Sequence, residues 1–174
     1  DITELNSAQQ AIHKSEAQLR LIWENALDGL RLVDEDGIIR MVNESYCRLV
    51  GKPREALEGK PLSVIYGVDR EEEILRGHRE KFRTRNIPRH YEREVTLWNG
   101  RKLYVELTNS FLDVEGQYSL LFSSFRDITE RKQAEKREMA FAKLGQSLSA
   151  AVSANAAAHL IADIADELLG WDAC

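Results

Sequence analysis

The sequence predicts an α+β fold: two strands, a group of short helices and three further strands, with an amphipathic helix on either side. Three features point to it. At Asp127-Ile128-Thr129-Glu130, the strand-forming run Tyr118, Leu120, Leu121, Phe122 and Phe125 gives way to Arg131-Lys132-Gln133-Ala134-Glu135-Lys136-Arg137-Glu138, made of strong helix formers. Asn99-Gly100 is a strong hairpin signal between two strand-like segments. Asp34-Glu35-Asp36-Gly37 reads as a turn between Leu30–Val33 and Ile38–Val42, with Gly37 free to take positive φ.

Composition narrows the class. A chain of 174 residues can bury one sizeable core and still carry the edges of two neighbouring modules. With 43% hydrophobic and 30% charged residues and three prolines, it belongs with folded rather than disordered chains. No apolar run approaches the roughly 20 residues that span a bilayer, and no basic region with a following apolar core opens the sequence, so no membrane segment is expected in it. A net charge of −5 argues against nucleic acid as a partner. Cys47 and Cys174 are too few and too scattered for a disulfide framework or a zinc site, which favours a reducing compartment, the cytoplasm.

Taken in order, residues 5–26 carry Ile12, Leu19, Ile22 and Trp23 near heptad spacing and predict an amphipathic helix, either docking or weakly coiled. After the hairpin, Asn43 is placed to cap a helix over Glu44–Val50, which Gly51 ends, and Pro53 starts another short helix. Asp69 reads as the cap of a longer helix ending near Asn86. Strands follow at Arg89–Trp98, Arg101–Leu112 and Gln117–Arg126. In the second of these, Leu103, Val105, Leu107, Asn109 and Phe111 share one face, the core face, while Lys102, Glu106, Thr108 and Ser110 share the other. Leu120-Leu121-Phe122 offers apolar groups to both faces, so the outer face also needs cover, from the N-terminal helix or a partner subunit. Beyond the junction, Ala134, Phe141 and Leu148 recur every seven residues with Leu144 and Ala151 between them, a pairing-helix pattern. A last helix is expected over residues 156–169, stopped by Gly170. Asp127 with Glu130 has the capping-box pattern, and the same four residues stand at Asp1-Ile2-Thr3-Glu4, as in a tandem array.

The order Asp28-Gly29, Asp36-Gly37, Asn43-Glu44-Ser45-Tyr46, Val50-Gly51-Lys52-Pro53, Trp98-Asn99-Gly100 and Asp127-Ile128-Thr129-Glu130 resembles the PAS sensory-domain family over roughly residues 19–130. The resemblance implies a five-stranded antiparallel sheet, short helices on one face, a ligand pocket between them, and flanking helices that carry the signal. Residues from about 140 onward resemble the opening helices of a GAF domain. The implied organisation is a linker helix at 1–18, a PAS domain at 19–130, a signalling coiled-coil helix at 131–152 and the truncated start of a GAF-like domain at 153–174. The implied parent is a bacterial-type multidomain signalling protein, a sensor histidine kinase with its output domain in the same chain; a cyclic-dinucleotide enzyme is the alternative.

Pocket candidates under this resemblance are Tyr46, His78, Leu107, Asn109, Phe122 and Ser124. Haem-binding relatives carry an axial histidine on the long helix before the third strand, where His78 stands, but its spacing to Phe82 and Asn86 departs from their pattern, and the reading set against it is an ordinary half-exposed helical histidine. Asn109 and Ser124 are polar groups within strands that need partners, from a ligand or from the protein. The flavin-adduct motif of some relatives has no counterpart in Gly59-Lys60-Pro61-Leu62-Ser63-Val64-Ile65, and Cys47 comes too early, as a small core residue. The cofactor is unknown, and no metal pattern is present. Asp127, Ile128, Thr129 and Glu130 are the expected signal relay. Without a phosphate loop, nucleophile elbow or kinase signature, the segment reads as noncatalytic. Two functions compete: a ligand sensor that relays through a parallel homodimer, joined by Ile12, Leu19, Phe141, Leu144 and Leu148, or a ligand-free dimerisation module.

Overall fold

The structure, a computed structural model, describes residues 2–67, 70–114, 118–150, 159 and 161–165. The chain divides into two units, Asp1–Asp127 and Ile128–Cys174. The first holds α1 (Ile2–Asn25), β1 (Gly29–Val33), β2 (Ile39–Val42), α2 (Glu44–Val50), single 3₁₀ turns at Arg54–Ala56 and Leu62–Ile65, α3 (Glu71–Arg83), β3 (His90–Thr96), β4 (Lys102–Val114) and β5 (Tyr118–Asp127). All five strands join one antiparallel sheet in the order β2-β1-β5-β4-β3. The last strand is therefore the central one. Its apolar groups on both faces suit that place, because a central strand meets cover on either side.

Local chemistry explains the elements. Asp34 closes the β1–β2 turn with its Oδ1, which accepts from the amides of Asp36 at 3.1 Å and Ile38 at 2.8 Å. Gly37 sits at φ 85°, and a Cβ there would stand 2.7 Å from Leu75 on α3, so both backbone and packing demand glycine. Asn43 caps α2 by accepting from the Tyr46 amide, and Gly51 ends that helix in the left-handed region at φ 71°. The first turn of α3 carries Glu71, Glu72 and Glu73 against the positive end of its dipole. The chain leaves α3 through Thr84 and Arg85, the latter at φ 55°.

The core lies on the helix-bearing face of the sheet. Tyr46, Ile39, Leu57, Val33 and Val42 are wholly buried there. Along β4, Leu103, Val105, Leu107 and Asn109 are buried while Lys102, Thr108 and Ser110 are exposed, the alternation the sequence predicts. On the other face, Trp23 near the end of α1 packs its ring 6.2 Å from that of Phe122. Leu19 and Ile22 of the same helix remain exposed.

In the second unit, α4 spans Thr129–Ala150, with Met139 and Phe141 exposed along it. Residues 159 and 161–165 are helical. Asp69, Gln117 at the start of the last expected strand, the side chain of Leu148, and Ala151 and Gly170 lie outside the described residues. Among the described residues, no helix is long and apolar enough to cross a membrane.

Candidate functional site

Between α3 and the sheet lies a cavity of about 650 Å³, within the usual range for small-molecule sites. Its floor comes from three adjacent strands in register. Arg31 on β1 stands opposite Ser123 on β5, and Ser123 stands opposite Asn109 on β4, so one polar row crosses the sheet. A second row is apolar, with Phe125 opposite Leu107, and Leu121 lies beyond the polar row. Ile74, Gly77 and His78 of α3 make the wall. The exposed side chains Arg70, Glu73, Lys81 and Glu94 mark the mouth.

The polar groups differ in how they are held. Asn109, only 6% exposed, donates from Nδ2 to the Pro88 carbonyl at 2.9 Å and accepts from Ser123 Oγ at 2.8 Å. His78 is half-buried and donates from Nε2 to the Asp34 carbonyl at 2.7 Å, which fastens α3 to the β1–β2 turn. Burial pushes its pKa below the ordinary 6.5, so the ring is neutral at pH 7. Arg31 is 7% exposed; its Nη1 donates to the Tyr46 hydroxyl at 3.0 Å and its guanidinium carbon lies 4.8 Å from the Phe125 ring centre. A guanidinium, a hydroxyl and an amide in one row, set among apolar side chains, form a recognition surface.

Of the residues expected at the pocket, Leu107, Asn109 and His78 line the cavity. Tyr46 does not reach it; wholly buried on α2, it supports the floor from behind through Arg31 and through Phe125, whose ring lies 5.0 Å away. Phe122 and Ser124 require correction. They sit on the opposite face of the sheet, Phe122 against Trp23 and Ser124 donating to Asp28 Oδ2 at 3.4 Å, and their neighbours Leu121, Ser123 and Phe125 face the cavity instead. A strand that is apolar on both faces carries no alternation to set its phase, and only its register against β4 does so. The Nε2 of His78 is committed to a backbone carbonyl, the structural role rather than that of a free axial ligand. Cys47 is buried in the core, where desolvation pushes its thiol pKa up. Of the expected relay residues, Asp127 ends β5 opposite Val105, Ile128 is buried, and Thr129 and Glu130 open α4. The Lys132 amide donates to the Ile128 carbonyl at 2.9 Å.

Arg31 and Ser123 are the residues that reading the sequence missed. The signal for Ser123 was available: a strand pairing that places Asn109 inward also places its partner inward.

Known proteins are similar to this chain in sequence or in fold. The chain is 27% identical over 158 residues to the C4-dicarboxylate transport sensor protein DctS of Rhodobacter capsulatus, covering 87% of this chain and 24% of that protein. It is 30% identical over 139 residues to sporulation kinase E of Bacillus subtilis, covering 78% of this chain and 18% of the kinase. The chain thus spans a quarter or less of these relatives' lengths. The PAS domain of Bordetella pertussis BvgS superposes with a TM-score of 0.57 at 20% identity, covering 75% of this chain and 98% of that one, a likeness of fold. The family model described as the PAS fold matches residues 17–128, which is most of the first unit, and on that match this chain belongs to the PAS family.

Proposed function

We propose that this chain is the sensory module of a cytoplasmic sensor histidine kinase, binding a small molecule in the cavity and relaying occupancy through its flanking helices. The observation that carries the reading is the path of β5. Leu121, Ser123 and Phe125 form part of the cavity floor, and the same strand runs through Asp127 into the chain that becomes α4. A ligand touching that floor biases the strand only by its differential contact with two states of the module. The relay is Asp127-Ile128-Thr129-Glu130, and the output domain follows in the same polypeptide, beyond a GAF-like domain that begins near residue 153. Two copies pair in parallel through α1 and α4, which accounts for the exposed Ile12, Leu19 and Phe141.

A second reading is a ligand-free dimerisation module. It is favoured by one observation: Asn109 and Ser123 bond to each other at 2.8 Å and so satisfy part of the polar floor without a guest. Native beside denaturing mass spectrometry of the purified chain separates the two. A non-covalent adduct lost on denaturation is the expected result, and a chain that is bare in both spectra and gains no mass from a metabolite panel refutes the sensor.

A further inference from the structure

Arg31 is the group in the cavity whose chemistry is left incomplete. Its side chain is more than nine-tenths buried, it lines the cavity, and among the described residues no carboxylate pairs with it. Nη1 is taken by the Tyr46 hydroxyl, while Nε has no hydrogen-bond partner. The rings of Phe125 and Tyr46, 4.8 and 5.6 Å from the guanidinium carbon, stack on the cation. Ring faces do not satisfy N–H groups that point outward in the guanidinium plane. A buried charge held by two aromatic rings and one hydroxyl is costly unless something of opposite charge completes it.

The surroundings say what would complete it. Four cationic residues line the cavity, Arg31, Arg70, Lys81 and Arg93, against the two acids Glu73 and Glu94. Arg70 is occupied by Glu73 at 2.6 Å, at the mouth. Asn109 uses Nδ2 toward Pro88, and since an amide nitrogen carries two hydrogens, one is left to donate. Beside this polar row the floor and walls are apolar, with Leu107, Leu121, Val95 and Phe125.

We infer that the cavity takes a small molecule with one carboxylate on an apolar body, its carboxylate seated on the Arg31 guanidinium where it lines the cavity beside Asn109. The inference rests on the sensory reading above and narrows it to a ligand class. The guanidinium offers a charged N–H donor that matches a carboxylate oxygen. At the buried seat one guanidinium with two neutral groups balances one negative charge, the other cations being exposed to water, which disfavours phosphate. The apolar rows take the rest of the molecule.

The test is calorimetric titration of the full chain with hexanoate, benzoate, succinate, inorganic phosphate and the neutral hexanamide. At least one of the monocarboxylates hexanoate and benzoate binds, hexanamide does not, and Arg31→Met weakens binding by about tenfold or more, the loss expected for a charged hydrogen bond. Arg31→Lys keeps the charge, removes the planar fork, and also weakens binding; it serves as well should the methionine variant not fold. Arg126→Met, on the outer face, leaves binding unchanged. Hexanamide binding as well as hexanoate, or Arg31→Met binding like wild type, overturns the carboxylate assignment and leaves the sensor standing. Phosphate or succinate preferred over the monocarboxylates overturns the ligand class. A copurified molecule without an acid group does the same. No binding by any probe, with no copurified molecule in native mass spectra, overturns both readings.

Discussion

Removing the side chain of Asn43 is expected to cost this domain more than any other single polar truncation in the first unit. Asn43 is wholly buried. Its Oδ1 accepts from the amides of Leu30 at 2.8 Å and Tyr46 at 2.9 Å, and its Nδ2 donates to the carbonyls of Trp23 at 3.1 Å and Asp28 at 3.0 Å. One amide thus ties the end of α1, the loop before β1, β1 itself and the start of α2. Asn43→Ala deletes four hydrogen bonds and leaves four backbone groups to find water or go unpaired. At about 0.5–1.5 kcal/mol net for each bond, the loss is about 2–6 kcal/mol. For a domain of this size that is a fall in melting temperature of about 8–24 °C, taking about 4 °C per kcal/mol. Asn43→Asp keeps both acceptor bonds but turns a carboxylate toward two carbonyl oxygens, so it is expected to fare no better than alanine. Differential scanning calorimetry of the three proteins at pH 7 measures this directly. A fall below about 4 °C for Asn43→Ala, on the same scale, refutes the reasoning, because it means the four partners are satisfied without Asn43.

Three further outcomes are expected. His78 has a folded-state pKa below 6.5, so the unfolded chain binds more protons than the folded one just below that pH; stability is therefore full above about 6.5 and declines as the pH falls toward the folded value. Urea midpoints across this range should show the slope, and His78→Gln, which can still donate to Asp34, should remove it; an unchanged slope assigns it to another group. Multi-angle light scattering should find a dimer that Leu144→Asp weakens, and a monomer at high micromolar concentration rules out the paired helices. In the full-length parent, Asp127→Ala should cost roughly 0.5–2 kcal/mol yet impair output more than Leu57→Ala, a truncation of a wholly buried side chain outside the cavity worth roughly 2–5 kcal/mol; wild-type output from the Asp127 variant leaves that residue no relay role.

How far the sequence could be read depended on whether each segment kept a single period. On β4, one face is buried and the other exposed, so alternation placed Leu107 and Asn109 correctly. Asn43 and Gly51 announced α2 because capping chemistry is local. On β5 the run Leu120-Leu121-Phe122 has no polar partner face, and the phase slipped by one, exchanging Phe122 and Ser124 for Leu121, Ser123 and Phe125. Arg31 was hidden for the same reason carried further. In Leu30-Arg31-Leu32 the alternation would send the leucines inward and the arginine to water, yet Arg31 pairs with Ser123 on the cavity face, and the leucines share the outer face with Ser124 and Phe122. The inversion is intelligible once β1 and β5 are seen to carry apolar groups on both faces: Leu30 and Leu32 are half-buried on the outer side, so nothing forces them into the core. A charged residue in the strand interior then conflicts with local pattern, and such conflicts are expected where function overrides packing. The most misread residue of the strand is thus the one that gives the cavity floor its buried charge, and the register of β1 against β5 is what discloses it.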